Sequence, residues 1–286
     1  MRVTVRELTF DVAVAGPDSG EPVLMLHGFP LSSGEWAGVA PLLHPYGYRT
    51  VAPDQRGYSP GARPVEVARY RRSELVADAL AIMASFGYRS FHVVGHDWGA
   101  VIAWELAGRY PDRIRTLTAV SVPHPAAIAE ALEEDADQRA RFGFVDLYRQ
   151  PGTAERALLA DDAARLRDWF AGCPTERVDG YLARLREPGA LTGGLNWYRA
   201  IPLHDAERLG MIEVPTTYVW GDADARIGPV AAQLCAGHVK GSYQFVALGT
   251  IGHWVPDTAP GPLAGAILRR ASGTTDSANA ADATAG

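Results

Sequence analysis

Along the first half of the chain, short continuous apolar runs alternate with stretches whose apolar residues recur at helical spacing. Val3 to Val5 and Leu8 to Val14 read as strands, and Gly16-Pro17-Asp18-Ser19-Gly20 reads as a turn. Val23-Leu24-Met25-Leu26 has the unbroken apolar pattern of a strand buried on both faces, and Arg49 to Ala52 reads as another, ending at Pro53-Asp54. From Ser73 to Phe86, Leu75, Leu80, Ile82 and Met83 keep helical spacing, with Ser73 the expected N-cap. Phe91 to Val94 is then expected as a buried strand, Ala100 to Tyr110 as a helix and Thr116 to Val120 as a strand. This βαβ rhythm predicts an α/β fold, a mostly parallel central sheet flanked by helices, with its ligand site at the carboxyl ends of the strands.

The rhythm breaks after Ser121-Val122-Pro123-His124-Pro125. From Ala126 to about Leu209 the chain reads as helical and charged, and strand signals return only at Thr216 to Trp220 and Ser242 to Leu248, before a helix through Ile267. A structureless loop of that length is implausible, so the middle is read as a helical cap inserted into one sheet. The expected division is a core of residues 1–125 and 210–270, a cap of residues 126–209, and a small polar tail, 271–286, expected to be disordered.

Composition narrows the partners. The 286 residues are 47% hydrophobic and 21% charged, with no apolar run near the ~18 residues that a membrane span needs. The net charge is −6 and the basic residues are scattered, leaving no footprint for nucleic acid or an anionic membrane surface. A small-molecule substrate and water are the expected partners of a monomer or homodimer. Cys173 and Cys235 form neither a disulfide framework nor a metal-ligand pattern, and no signal-peptide pattern opens the chain. The expectation is a cytoplasmic protein with no metal and no organic cofactor.

The chemistry concentrates at Gly95-His96-Asp97-Trp98-Gly99, which follows a buried strand and precedes a helix. Small flanking residues in that context permit the strained turn of a nucleophile elbow. Its central residue is Asp97, a carboxylate that needs no base to attack carbon and form an alkyl-enzyme ester. Two partners follow in the chain order of a triad: Asp224 after one strand, to orient an imidazole, and His253 after the last, to activate water. Asp222 reads as a turn former, and His27, His96 and His124 as backbone-bonded loop residues near the mouth of the site. In His27-Gly28-Phe29-Pro30, the Phe29 N–H joins that of Trp98 as an expected oxyanion hole.

These motifs, with Val122-Pro123-His124-Pro125 and Leu195-Asn196-Trp197-Tyr198-Arg199, resemble the α/β-hydrolase superfamily and, within it, the Asp-nucleophile branch of epoxide hydrolases and haloalkane dehalogenases. The last run resembles the cap motif of soluble epoxide hydrolases, whose tyrosine protonates the opening ring, and the resemblance assigns that role to Tyr198. The family's second cap tyrosine falls on Phe144. Tyr148, four residues on, would share its helical face as a displaced second donor or as a packing residue. Halide sites in the family use the Trp after the nucleophile plus a second Trp or an Asn. Trp98 matches the first, Phe29 stands in place of the Asn, and Trp169 and Trp197 are loose substitutes for the second donor. Phe29, Trp98, Phe144 and Trp254 are expected to make the pocket apolar, suited to a neutral, largely apolar epoxide. A haloalkane dehalogenase and a non-catalytic binding protein on the same fold are the alternatives.

Overall fold

The structure is a computed structural model that describes residues 1–201 and 209–273. Its strands are β1 (Arg2–Val5), β2 (Leu8–Ala15), β3 (Glu21–Leu26), β4 (Tyr48–Pro53), β5 (Phe91–His96), β6 (Ile114–Val120), β7 (Thr216–Gly221) and β8 (Tyr243–Leu248). They form one sheet in the order β1-β2-β4-β3-β5-β6-β7-β8. Pairs β1–β2 and β2–β4 are antiparallel, and every pairing from β4 through β8 is parallel. The order reverses where β3 meets β5, and that switch opens a crevice at the strands' carboxyl ends.

Alternation along the strands supplies two cores. Val23, Met25, Val94 and Val219 face one side, and Leu24, Leu26, Phe91 and Val93 face the other. Helices α1 (Ala40–Leu43), α2 (Arg72–Ser85) and α3 (Trp98–Arg109) connect the first strands, with α2 and α3 on the second face. Residue Arg71 starts α2: its extended backbone directs its carbonyl to the N–H groups of Glu74 and Leu75. Ser73 therefore lies inside the first turn and is not the expected N-cap. Helix α3 begins at Trp98, two residues before the expected start, because the elbow leads straight into it.

The segment between β6 and β7 is helical, as the broken rhythm predicts. It holds α4 (Pro125–Glu134), α5 (Ala136–Arg141), α6 (Phe144–Tyr148), α7 (Thr153–Trp169), α8 (Thr175–Leu185) and α9 (Ala190–Ala200). Helix α7 is broken at residues 160–163, where three residues adopt positive φ. Polar contacts fasten this cap to the core: Arg184 pairs with Asp54, Arg63 with Glu187 at 2.7 Å, and the Tyr181 hydroxyl donates to Asp257 at 3.0 Å. The α9 backbone approaches the loop at Gly57 so closely that a Cβ on Gly193 would lie 2.6 Å from the Gly57 oxygen. Glycine at both positions is what lets α9 reach the site.

The chain closes with α10 (Pro229–Leu234), α11 (Val255–Thr258) and α12 (Pro260–Ala271). Helix α12 packs Leu263 and Ile267 on the first sheet face and extends past the expected Ile267, because buried Arg270 donates from Nε to Thr217 Oγ1 on β7 at 2.8 Å. Ala271 is thus helical rather than part of the tail, and residues 274–286 lie outside the described residues.

Candidate active site

Asp97 joins β5 to α3 with φ 51° and ψ −119°, a conformation that is costly for any residue but glycine. Its neighbours make the turn possible. A Cβ on Gly99 would lie 1.9 Å from the Leu26 carbonyl oxygen, and one on Gly95 would lie 2.2 Å from that of Gly99. The turn lifts the Asp97 carboxylate above the carboxyl end of β5. Because Leu26 pairs with Gly95 across β3 and β5, the loop after β3 arrives beside it. The Phe29 N–H donates to Asp97 Oδ1 at 2.8 Å, and the Trp98 N–H at the start of α3 is a second donor to the same carboxylate. The two amides expected to hold an oxyanion therefore both meet the Asp97 carboxylate, Phe29 through Oδ1.

His253 faces the other carboxylate oxygen from the loop after β8, its Nε2 3.4 Å from Asp97 Oδ2. Its Nδ1 lies 2.8 Å from Asp224 Oδ2. Asp224 is fixed in turn, since Oδ1 accepts from the N–H groups of Arg226 at 2.7 Å and Ile227 at 3.1 Å. This partnership sets the ring orientation: Nδ1–H toward Asp224, Nε2 toward Asp97. Asp222 accepts from the Thr250 N–H at 2.6 Å and braces the turn instead. Burial opposes the charge on His253, but the Asp224 and Asp97 carboxylates overcome it and raise the imidazole to about 9. Burial likewise opposes ionisation of Asp97, and the His253 hydrogen bond and charge outweigh it, leaving the carboxyl below its ordinary value.

Beneath the triad lies a pair that sequence reasoning did not assign. His96 ends β5 fully buried, where a loop residue near the mouth was expected. Its Nε2 lies 2.9 Å from the His253 carbonyl oxygen, and its Nδ1 lies 3.0 Å from Glu35 Oε2. Burial, reinforced by Asp257 and Asp97, holds Glu35 well above the usual carboxyl range, while burial drops His96 to about 4. The chemistry is that of a neutral acid donating to a neutral imidazole, which in turn donates to the backbone of His253. Glu35 Oε1 has no partner among the described residues. Nothing in the local sequence around Glu35 signals this pairing, because His96 lies 61 residues away.

Across from Asp97 the cap contributes rings. Tyr198 on α9 lines the cavity, with its ring centroid 4.9 Å from that of Trp98 and 5.4 Å from that of Phe29. Burial and the Asp97 charge push its phenol well above the ordinary value, so it keeps its proton at neutral pH. Phe144 and Tyr148 share one face of α6, as their spacing predicts, with ring centroids 5.0 Å apart. Tyr148 is also 5.0 Å from Tyr198, but it is fully buried and is not among the residues that line the cavity, and its hydroxyl has no hydrogen-bond partner among the described residues. Phe29, Trp98, Phe144 and Trp254 all line the cavity, which encloses about 850 Å³ with its open mouth included. Trp169 lines it too, whereas Trp197 spends its indole N–H on the Arg56 carbonyl at 2.9 Å. Arg226, which sequence reasoning passed over, enters the same wall.

The sequence model for the α/β-hydrolase fold matches residues 21–260, spanning both sheet halves and the cap between them. The chain belongs to the α/β-hydrolase family. Among curated proteins, this α/β-hydrolase is 30% identical to epoxide hydrolase A of Mycobacterium tuberculosis over 92% of its own length and 94% of that protein. It is 31% identical to the AB hydrolase superfamily protein YfhM of Bacillus subtilis, covering 90% and 92% of the two chains. Among solved structures, epoxide hydrolase A from Mycobacterium thermoresistibile superposes with a TM-score of 0.83 at 27% identity, over 96% and 98% of the chains. The hydrolase is thus related to epoxide hydrolases along nearly its whole length. No helix among its described residues is long and apolar enough to cross a membrane, and no group of three or more His, Cys, Asp or Glu among them is placed to hold a metal ion.

Proposed function

We propose that this α/β-hydrolase converts an epoxide to a vicinal diol through a covalent ester on Asp97. The observation that carries the reading is the pairing of two facing groups across one largely apolar cavity: an ionised elbow carboxylate on the core and a protonated phenol, Tyr198, on the cap. Asp97 Oδ2, free of the amide that binds Oδ1, attacks an epoxide carbon. As that carbon–oxygen bond breaks, the Tyr198 O–H gives its proton to the departing oxygen, leaving a hydroxyalkyl ester and a phenolate. An alkoxide is a poor leaving group, so this proton transfer has to accompany the cleavage.

Ester formation prepares its own hydrolysis. It removes the Asp97 charge that helps keep His253 protonated, so the imidazolium gives up its proton, which re-protonates the Tyr198 phenolate, and the neutral imidazole becomes a base. Nε2 then takes a proton from water, and the hydroxide attacks the ester carbonyl carbon. The oxyanion that develops on Oδ1 is met by the Phe29 and Trp98 amides, already 2.8 Å away in the case of Phe29. Collapse breaks the bond from the carbonyl carbon to Oδ2; the imidazolium gives the proton it took from water to the departing diol oxygen, and the water's second proton passes from the Asp97 carboxyl to His253, restoring the carboxylate and the imidazolium. Halide release from a haloalkane would use the same nucleophile. The commitment of the Trp197 N–H to the Arg56 backbone removes one of the two indoles that could cradle a halide, which favours the epoxide.

A single turnover in oxygen-18 water, run on a panel of epoxides and haloalkanes and repeated with pre-labelled enzyme, tests the mechanism. The first diol formed should carry oxygen from Asp97, and label should reach product only in later turnovers. Label arriving directly from water in the first turnover would overturn the covalent route. Halide release without diol formation from any epoxide would move the assignment to a dehalogenase.

A further inference from the structure

Arg226 is the one cation in the cavity wall that no acid neutralises among the described residues. Its backbone is pinned at both peptide groups: the N–H donates to Asp224 Oδ1, and the carbonyl accepts from Gln138 Nε2 on α5 at 2.8 Å. Its guanidinium carbon lies 4.6 Å from the centroid of Phe144 and 4.1 Å from that of Trp169, two rings that also line the cavity. Those contacts hold the cation by the ring faces without consuming any of its N–H donors. Neighbouring arginines spend theirs: Arg141 pairs with Asp137 at 2.6 Å, and Arg149 donates to the Tyr198 and Ile201 carbonyls. The Arg226 side chain makes no hydrogen bond or ion pair within the described chain, although charged groups in largely apolar surroundings are normally paired.

We propose that Arg226 is the receptor for a carboxylate on the substrate, so that the molecule held here is an apolar chain with an epoxide at one end and an acid at the other. This assignment of substrate class rests on the epoxide-hydrolase reading above. Position supports it. Asp97 is anionic and would repel an acid placed beside it, so an acidic group must sit away from the nucleophile. Arg226 is two ring contacts from Tyr198, reached through Phe144, whose centroid is 6.1 Å from that of Tyr198. A carboxylate suits the site better than a phosphate, because a single guanidinium matches one negative charge in a planar group and the flanking walls are aromatic. The loop that carries Arg226 also carries Asp224, so the same pinned segment orients the catalytic histidine and grips the far end of the substrate.

Two measurements test this on the full chain. Calorimetric binding of hexanoate against hexanamide reads the site without any chemistry: hexanoate should bind about tenfold tighter, the size of one charge-assisted contact, and Arg226→Met should erase the preference while Arg226→Lys retains part of it. Equal binding of acid and amide to the wild type, or a preference that survives Arg226→Met, would overturn the proposal. The kinetic arm compares a terminal epoxide on a short saturated chain ending in a carboxylate with its methyl ester. The acid-to-ester ratio of kcat/KM should be about ten in the wild type and fall to near one in Arg226→Met, through KM. A ratio near one in both enzymes also defeats the proposal. Should no epoxide give diol while hexanoate is still preferred, it is the epoxide-hydrolase reading that fails, and the carboxylate site stands.

Discussion

The two walls of the cavity are built on opposite principles. On the core wall the reactive polar atoms are engaged before substrate arrives: Asp97 by two amides and His253, His253 by Asp224, and Asp224 by two further amides. On the cap wall, Tyr198, Tyr148, Phe144 and Trp169 meet one another through rings, the Tyr148 hydroxyl has no hydrogen-bond partner among the described residues, and Arg226, from the core loop after β7, meets this wall through the rings of Phe144 and Trp169. A preorganised polar wall suits the charges that form on Asp97 and His253 in any ester chemistry. Under the proposed reading, the aromatic wall supplies shape and one proton, and the core loop that carries Asp224 adds one cation.

The largest effect expected on the core wall is that of His253→Gln. Removing the base should lower steady-state diol formation at least about a thousandfold while leaving attack by Asp97 intact. The ester should therefore accumulate, visible as a mass increase equal to that of the intact epoxide. Equal loss of ester and diol would show that the imidazole is needed for the first step as well, merging the two roles. On the cap wall the matching substitution is Tyr198→Phe. It should slow ester formation about a hundredfold, the usual scale of a lost general acid, with hydrolysis of preformed ester little changed. If hydrolysis slowed instead, the division of labour between the walls would be wrong.

A smaller effect follows from the charge on the core wall. The His253 value of about 9 lies above the ordinary 6.5, so the ring binds its proton more tightly folded than unfolded. That contribution to stability is fully present below about 6.5 and is lost as pH rises through about 9. The Tm should thus fall between pH 7 and pH 10 in the wild type, and fall less in His253→Gln. Parallel melting profiles of the two proteins would mean that His253 carries no such excess affinity.

The walls also differ in how far the sequence reveals them. Asp97, its flanking glycines and the Phe29 loop were legible because the elbow is a local requirement: a strained turn between strand and helix leaves its mark in five consecutive residues. Asp224 and His253 could be placed from chain order after successive strands, and the insertion stood out as a loss of strand rhythm. The ends of elements were less legible. Arg71 caps α2 with its backbone alone, and α12 is prolonged by a bond from Arg270 to a strand 53 residues away. Glu35, His96 and Arg226 owe their environments to such distant contacts. Arg226 sits two residues from Asp224 in sequence, yet what defines it is a pair of rings from the cap.

Tyr148 is where the contrast between the walls is sharpest and the expected effect smallest. By sequence it competes with Tyr198 as a proton donor. By position it is not among the cavity-lining residues, its ring packs against Phe29, Phe144, Trp169 and Tyr198, and its buried hydroxyl has no partner among the described residues. A donor must reach the oxygen it protonates, and Tyr148 does not line the cavity as Tyr198 does. Tyr148→Phe removes an unsatisfied polar atom while keeping every ring contact, so it should leave stability unchanged or raise it by about 1 kcal/mol. Ester formation should change by less than about threefold, read by stopped-flow tryptophan fluorescence beside Tyr198→Phe. A loss comparable to that of Tyr198→Phe would require the α6 face to turn toward the cavity during ring opening. The cap would then act as a moving pair of acids rather than as a fixed aromatic wall with one.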